Sequence, residues 1–346
     1  MSITLLAAGG IGSSATAAVT PDYPTTPAPV AGNLALLQAT CKPHTLTIDT
    51  PTGYQALTNY TKTGGTGSDG ADTGLVRVAL FVRVCDGTEG VEATVSTSGG
   101  TQTLLTARID VWGKAAAATW DVALCNGSDD TGGSTTLSFT MNADPGIKSG
   151  DMLVARMSVN SDMASFSGST LTATGATIGA GTESYEHGTS VGNDGLQLSV
   201  YFPVTAGTGS AAPVFTTTAS SSAAGAPVGA CVVVRLRELY VPVAEFSGDV
   251  LSGDAPLTVD FTDASTNTPT SWAWDFDNSG STDSTSQNPS HTYATPGVYS
   301  VKLTATNADG SDVETKVNYI TVTAPLEAED ALPRWDRRRR LTMLST

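Results

Sequence analysis

This sequence is short of charge. Only 14% of its 346 residues are Asp, Glu, Lys or Arg, too few for long helices with solvated charged faces. Thr, Ser, Gly, Ala and Val fill their place, which predicts many short strands joined by polar turns. Basic residues are scarcer still: Lys and Arg total 17 against 33 acidic residues, for a formal net charge of -16. A nucleic-acid partner is therefore not expected, because neutralising phosphates needs a basic face. Histidine is limited to His44, His187 and His291, with no H-E-x-x-H string, so no catalytic zinc site is expected. No apolar run approaches the ~20 residues needed to cross a bilayer, and membrane insertion is not expected. The opening segment MSITLLAAGGIGSSATAAVT has no positive n-region, and glycines soon break its apolar run, so it does not read as a signal peptide. The four cysteines, Cys41, Cys85, Cys125 and Cys231, form no C-x-x-C pair and sit in or beside apolar runs. They are expected to be buried free thiols.

What is present is repetition. PAPVAGNLALLQAT from Pro27 resembles PGIKSGDMLVARMS from Pro145, 118 residues later without a gap. The match continues from DTGLVRVALFVRV to NDGLQLSVYFPV and from LLTARIDVW to GACVVVRLRE, and SITLLAAGG has its counterpart in WDVALCNGS. The chain is 40% hydrophobic, enough for several cores. Its apolar runs are short and bounded by Gly, Asp, Asn and Pro, as in a sandwich or jelly roll. In VRVALFVRV the residues Val76, Val78, Leu80, Val82 and Val84 share one face, predicted to be core. The face bearing Arg77, Ala79, Phe81 and Arg83 is predicted to be semi-polar.

The predicted fold is all-β: two tandem, similar β-sandwich domains of jelly-roll or Ig-like type (residues 1–118 and 119–240), a third sandwich (241–324) and a short basic tail (325–346). The third unit carries several motifs in one order: APLTVDFTDAS, WDF, NPSHTYATPGVYSVKLTATNADG and a closing ITV. Together they resemble the PKD (polycystic-kidney-disease) domain. That resemblance implies an immunoglobulin-like sandwich of about seven strands that serves as a spacer or adhesive module. The residues agree independently, since Tyr299, Val301, Leu303 and Ala305 alternate with Ser300, Lys302, Thr304 and Thr306.

Within this unit TSWAWDFDNSGSTDST is the stretch richest in chemistry. Trp272, Trp274 and Phe276 would point to one face as core. Asp275, Asp277 and Asp283 follow the spacing of the first part of an EF-hand-like loop. Ser286 stands where the closing bidentate Glu would be, which excludes a helix-loop-helix calcium switch. Two readings stay open: a structural calcium ion held by Asp275, Asp277 and Asp283, or a hydrogen-bonded Asx turn.

Two enzyme-like strings are weak. GTSVG (188–192), beside His187, fits a nucleophile elbow, but that motif needs a strand before and a helix after it. Its surroundings read as a Gly/Ser loop entering a strand. GTGSDG (65–70) matches a phosphate-binding pattern without a following helix. No catalytic residues are assigned.

The last segment, LPRWDRRRRLTMLST, is either a solvated end or a docking peptide using Trp335, Arg337, Arg338, Arg339, Arg340 and Leu341. The N-terminal stretch from VAGNLALLQATCK to LFVRVCDG resembles β-sandwich units of bacteriophage minor tail and other virion surface proteins. Here Tyr54 stands where Trp is usual, and the second copy shows no obvious counterpart of TPTGYQALT. The resemblance implies a non-enzymatic bacteriophage virion protein, either minor tail or capsid decoration, assembled in the host cytoplasm and exposed outside after lysis. Its expected partners are other virion proteins, copies of itself, and a host cell-surface glycan or protein. The alternative is a secreted bacterial surface adhesin or carbohydrate-binding module.

Overall fold

A computed structural model describes residues 3–9, 11–14, 18–24, 28–42, 45–61, 77–87, 93–100, 104–116, 118–130, 136–141, 146–159, 163–188, 196–207, 213–221 and 229–325. The chain forms two compact units, Met1–Leu239 and Tyr240–Thr346. All regular structure among the described residues is β. Among them no helix is long and apolar enough to cross a membrane.

The first half of the first unit contains β1 (Thr4–Ala8), β2 (Gly12–Ser14), β3 (Leu34–Lys42), β4 (Thr47–Ile48), β5 (Gln55–Thr61), β6 (Arg77–Val84), β7 (Thr97–Ser98) and β8 (Leu104–Gly113). The second half contains β9 (Thr119–Asp130), β10 (Thr136–Thr140), β11 (Met152–Val159), β12 (Met163–Thr172), β13 (Ala176–Ile178), β14 (Thr182–Gly188), β15 (Leu196–Gly207), β16 (Val214–Ser221) and β17 (Gly229–Leu239). The first half builds a large sheet in the order β1-β8-β3-β6-β5, with β2 also on β8. The second repeats it as β9-β17-β11-β15, with β14 and β13 both on β15. Opposite the second large sheet lies β10-β16-β12. In the first half, among the described residues, the same crossings are seen as the Val19–Val95 bridge and the β4–β7 pair. This alternation of the chain between two sheets is the jelly-roll order, with the fifth strand moved onto the large sheet.

Duplication extends to single residues. Gly32 (φ 88°) and Gly150 (φ 94°) occupy the same turn, where a positive φ favours glycine. The next residues, Asn33 and Asp151, each accept a backbone N–H from three positions earlier: Val30 at 2.8 Å and Lys148 at 2.7 Å. A bulge falls at Leu57 in β5 and at Ser184 in β14, one residue after Ala56 opposes Phe81 and Glu183 opposes Val200. The counterpart of TPTGYQALT thus exists as β14, recognisable by register rather than by side chains.

Residues of β3 alternate between two cores. Ala35, Leu37, Ala39 and Cys41 pack within the first jelly roll. Leu34 and Leu36 pack with Val78, Leu80, Val82 and Trp112 against Met152, Val154, Val232, Val234 and Leu236 of the second. The two large sheets therefore meet face to face. This corrects the expected semi-polar face of β6: Ala79 and Phe81 are fully buried in the first core, while Val78 and Leu80 are fully buried between the copies. Of its arginines, Arg77 and Arg83, both lie towards the strand ends, and the middle of the strand has no solvent on either side.

Polar groups cross this seam. Asp110 on β8 and Arg156 on β11 are both fully buried and 2.6 Å apart. Arg108 reaches the other oxygen of Asp110 at 3.3 Å, and Gln38 donates to the carbonyl of Met157 at 3.4 Å. Trp112 meets the ring of Tyr201 edge-on at 5.4 Å.

In its described residues the second unit is a seven-stranded sandwich. Its strands are β18 (Phe246–Gly248), β19 (Ser252–Asp254), β20 (Leu257–Asp263), β21 (Ser271–Asp275), β22 (Ser290–Tyr293), β23 (Gly297–Asn307) and β24 (Gly310–Thr323). They form the sheets β18-β20-β22 and β19-β24-β23-β21. Between the sheets lie Phe246, Phe261, Trp274, Phe276, Val301, Leu303 and Ile320. Asn307 closes the β23–β24 hairpin, its side-chain oxygen accepting the amides of Asp309 (2.8 Å) and Gly310 (3.2 Å).

Candidate functional site

The acidic turn begins where β21 ends. Trp274 is fully buried and Phe276 nearly so, with ring centroids 6.1 Å apart. The strand is pinned by the Trp274 indole donating to the carbonyl of Ser286 at 2.9 Å. Trp272 is partly buried against the same core and donates to Asp263 at 2.8 Å. This fixed aromatic strand presents Asp275 to the turn that follows.

One ligand oxygen each from Asp275, Asp277 and Asp283 lies within 4.8 Å of the others, Asp275 buried and the other two exposed. The structure thus assembles the three residues that the spacing singled out. Asp275 accepts the amides of Ser279 (3.0 Å) and Gly280 (2.9 Å), and Lys302 places its ammonium 3.0 Å from the same carboxylate. Asp277 accepts the Ser279 amide at 3.1 Å, and Asp283 accepts the Phe276 amide at 2.7 Å. Asn278 (φ 54°) and Gly280 (φ 94°) take the left-handed conformations that let these amides turn inward. Burial pushes the Asp275 carboxyl up, but Lys302 and the amides of Gly280 and Ser279 outweigh it and hold the group below the usual range.

Calcium takes six to eight oxygens. Here the most buried carboxylate already faces an ammonium and two N–H donors, so the donor set fits a charge-assisted Asx turn as it stands. A cation would need Lys302 to move aside. His291, stacked on Phe276 at 4.3 Å, flanks the turn. Burial lowers its pKa, with Asp283 and Asp277 opposing the shift.

The enzyme-like strings contribute no described site. Gly188 ends β14, the next described strand opens at Leu196, and Ser190 lies outside the described residues. GTGSDG (65–70) and the docking residues Trp335, Arg337, Arg338, Arg339, Arg340 and Leu341 also lie outside them. All four cysteines are buried and none is in a disulfide. Burial pushes the Cys41 thiol up to about 12, against the opposing charge of Arg77, and raises Cys231 as well. Neither is poised as a nucleophile.

A second site has no signature in the sequence. Between β5–β6 of the first jelly roll and β9 of the second, a cleft of about 810 Å³ is lined by Leu34, Leu57, Val82, Val84, Trp120 and Val122, with Thr52, Gln55, Arg83 and Asp86 at its polar margin. Its size falls within the range usual for small-ligand sites, about 300–1,000 Å³. The Trp120 indole donates to the carbonyl of Gly32 at 2.8 Å, which fixes its ring across the two copies. Arg83 and Asp86 lie 3.3 Å apart. Gly53, at φ 81°, lies beside Arg83, and a Cβ there would stand 3.4 Å from the guanidinium.

Residues 241–322 match the family model of the PKD domain, and the C-terminal sandwich is such a domain. Among solved structures, the chain is similar to a solution NMR structure from Methanosarcina mazei at 32% identity, with a TM-score of 0.20. That match covers 25% of this chain and 57% of the other, so this chain spans little more than half of its length. It is also similar to the full Ig1–Ig3 ectodomain of mouse nectin-like molecule 4, at 11% identity and a TM-score of 0.22, covering 86% and 97% of the two chains. No curated protein matches.

Proposed function

We propose that this chain is a non-enzymatic structural protein of a bacteriophage virion, a minor tail or capsid-decoration protein displayed as a projecting, adhesive or stabilising module. The observation that carries the reading is the state of the cysteines: all four are buried and none is in a disulfide. Such a fold closes without an oxidant, as a protein assembled in a reducing cytoplasm must. The jelly rolls add support, since this architecture recurs in viral capsid and lectin domains. PKD and Ig-like sandwiches are generally non-catalytic, and burial raises the pKa of the Cys41 and Cys231 thiols, which disfavours their thiolate forms.

Function in this reading is binding. The partners are other virion proteins, further copies of the chain, and a glycan or protein of the host surface, with weak contacts summed over many displayed copies. A structural calcium ion at Asp275, Asp277 and Asp283 belongs to the proposal only if Lys302 yields its place. A secreted bacterial adhesin or carbohydrate-binding module is the second reading, favoured by the Trp120 cleft. Particles purified from a producing lysate and subjected to peptide mapping separate the two. Peptides from both units at constant ratio to the major particle proteins support the virion assignment, and their absence from intact particles overturns it.

A further inference from the structure

We propose that the cleft between β5–β6 and β9 is a binding site for a short neutral oligosaccharide. Its chemistry favours that class over others. Much of its lining is apolar, including Leu57, Val82 and the half-buried ring of Trp120. The N–H of that ring is already committed to Gly32, so the ring is held in place and offers apolar surface against which the C–H face of a sugar can pack. At the margin, Gln55 and the Arg83–Asp86 pair set donors beside acceptors. Vicinal sugar hydroxyls, each both donor and acceptor, require that arrangement.

Anionic ligands fit poorly. Among the described lining residues Arg83 is the only cation, and it faces Asp86, while the chain carries a formal charge of -16. A purely apolar ligand would leave the polar margin unmatched. The duplication sharpens the assignment. The β3–β6 and β11–β15 registers place Val82 opposite Leu36 and Tyr201 opposite Val154, so Tyr201 is the counterpart of Val82, and its ring packs on Trp112. The first copy thus carries a small side chain at the cleft where the second carries a large ring.

This deepens the displayed-surface reading and rests on it for its biological meaning. The test uses the purified full chain on an array of neutral gluco-, galacto-, manno- and N-acetylglucosamine oligosaccharides, followed by calorimetric titration of the strongest binder. Gln55→Ala and Trp120→Phe are expected to weaken binding at least about tenfold, and Val317→Ser in the PKD domain to leave it unchanged. Trp120 also packs at the seam, so near-ultraviolet circular dichroism accompanies each variant. The exposed Gln55→Ala decides the outcome if Trp120→Phe misfolds. Failure of every array member to bind, or binding indifferent to Gln55→Ala, overturns the inference. A chain that co-purifies with particles yet binds no saccharide loses only this inference, whereas one that binds saccharide but is absent from particles loses only the virion assignment.

Discussion

Asp110 and Asp275 are both sealed from solvent and both paired with a cation, yet they do different work. Asp110 reaches across the seam to Arg156 in the other jelly roll, its second oxygen held by Arg108, and apolar side chains of the two sheets pack nearby. The partners of Asp275 are local: amides four and five residues ahead, and Lys302 on the directly paired position of the next strand. Buried charge joins two copies of a fold in the first unit, whereas in the second it closes one turn. The copies otherwise share a largely apolar interface with a few hydrogen bonds, among them Gln38 to Met157 and Trp120 to Gly32, and a buried ion pair within it is suited to fix their register, the best-attested use of such pairs.

The largest expected effect is at the seam. Asp110→Ala leaves the Arg156 guanidinium without its carboxylate and should cost about 3–5 kcal/mol, read by chemical denaturation of the whole chain. Asp110→Leu combined with Arg156→Met should recover most of the loss. A cost within error would mean that the pair does not hold the copies together.

Asp275→Ala comes next. It removes the acceptor of two amides and of Lys302 and should cost about 1–3 kcal/mol. In calorimetry only the PKD transition should move, and only the other transition should move for Asp110→Ala. A shift of both transitions by either substitution would erase the contrast between the two carboxylates.

Acid provides a smaller and graded effect. The folded pKa of His291 is lowered, so the unfolded state takes up its proton first and PKD stability declines as pH falls below about 6.5. The folded pKa of Asp275 is lowered too, so its contribution is present above the unfolded value and lost as pH falls below about 4. His291→Phe should flatten the first decline and Asp275→Asn the second, followed by melting temperature against pH.

Calcium should do least. With Lys302 beside Asp275, about 1 mM calcium against EDTA is expected to stabilise the PKD transition by less than about 0.4 kcal/mol, the value for a dissociation constant near 1 mM. Lys302→Met should enlarge the response. A shift of several degrees in the unaltered chain would establish Asp275, Asp277 and Asp283 as a cation site instead.

The contrast also explains what could be read from the residues. The PKD unit was legible because its motifs are local: Trp274 and Phe276 mark a strand, and Asp275 to Gly280 mark its turn. Duplication was legible as a fixed spacing, because Gly32 and Gly150 hold turns that few residues can replace. The burial of both faces of β6 was not, because alternation reports which residues share a face and not what covers it. Phe81 and Ala79 opposite Val78 and Leu80 were the available sign. Charges in the middle of apolar strands, Asp110 in LLTARIDVW and Arg156 in DMLVARMSV, were the sign of the seam. The cleft left no linear trace, being assembled from residues near 55, 83 and 120.

The functional reading is tested most directly by labelling. Gold-conjugated antibodies raised against residues 241–322 should decorate intact particles from a producing lysate at regular positions on head or tail in electron micrographs. Uniformly unlabelled particles, with the antigen recovered only in the particle-free fraction, would contradict a role on the virion surface.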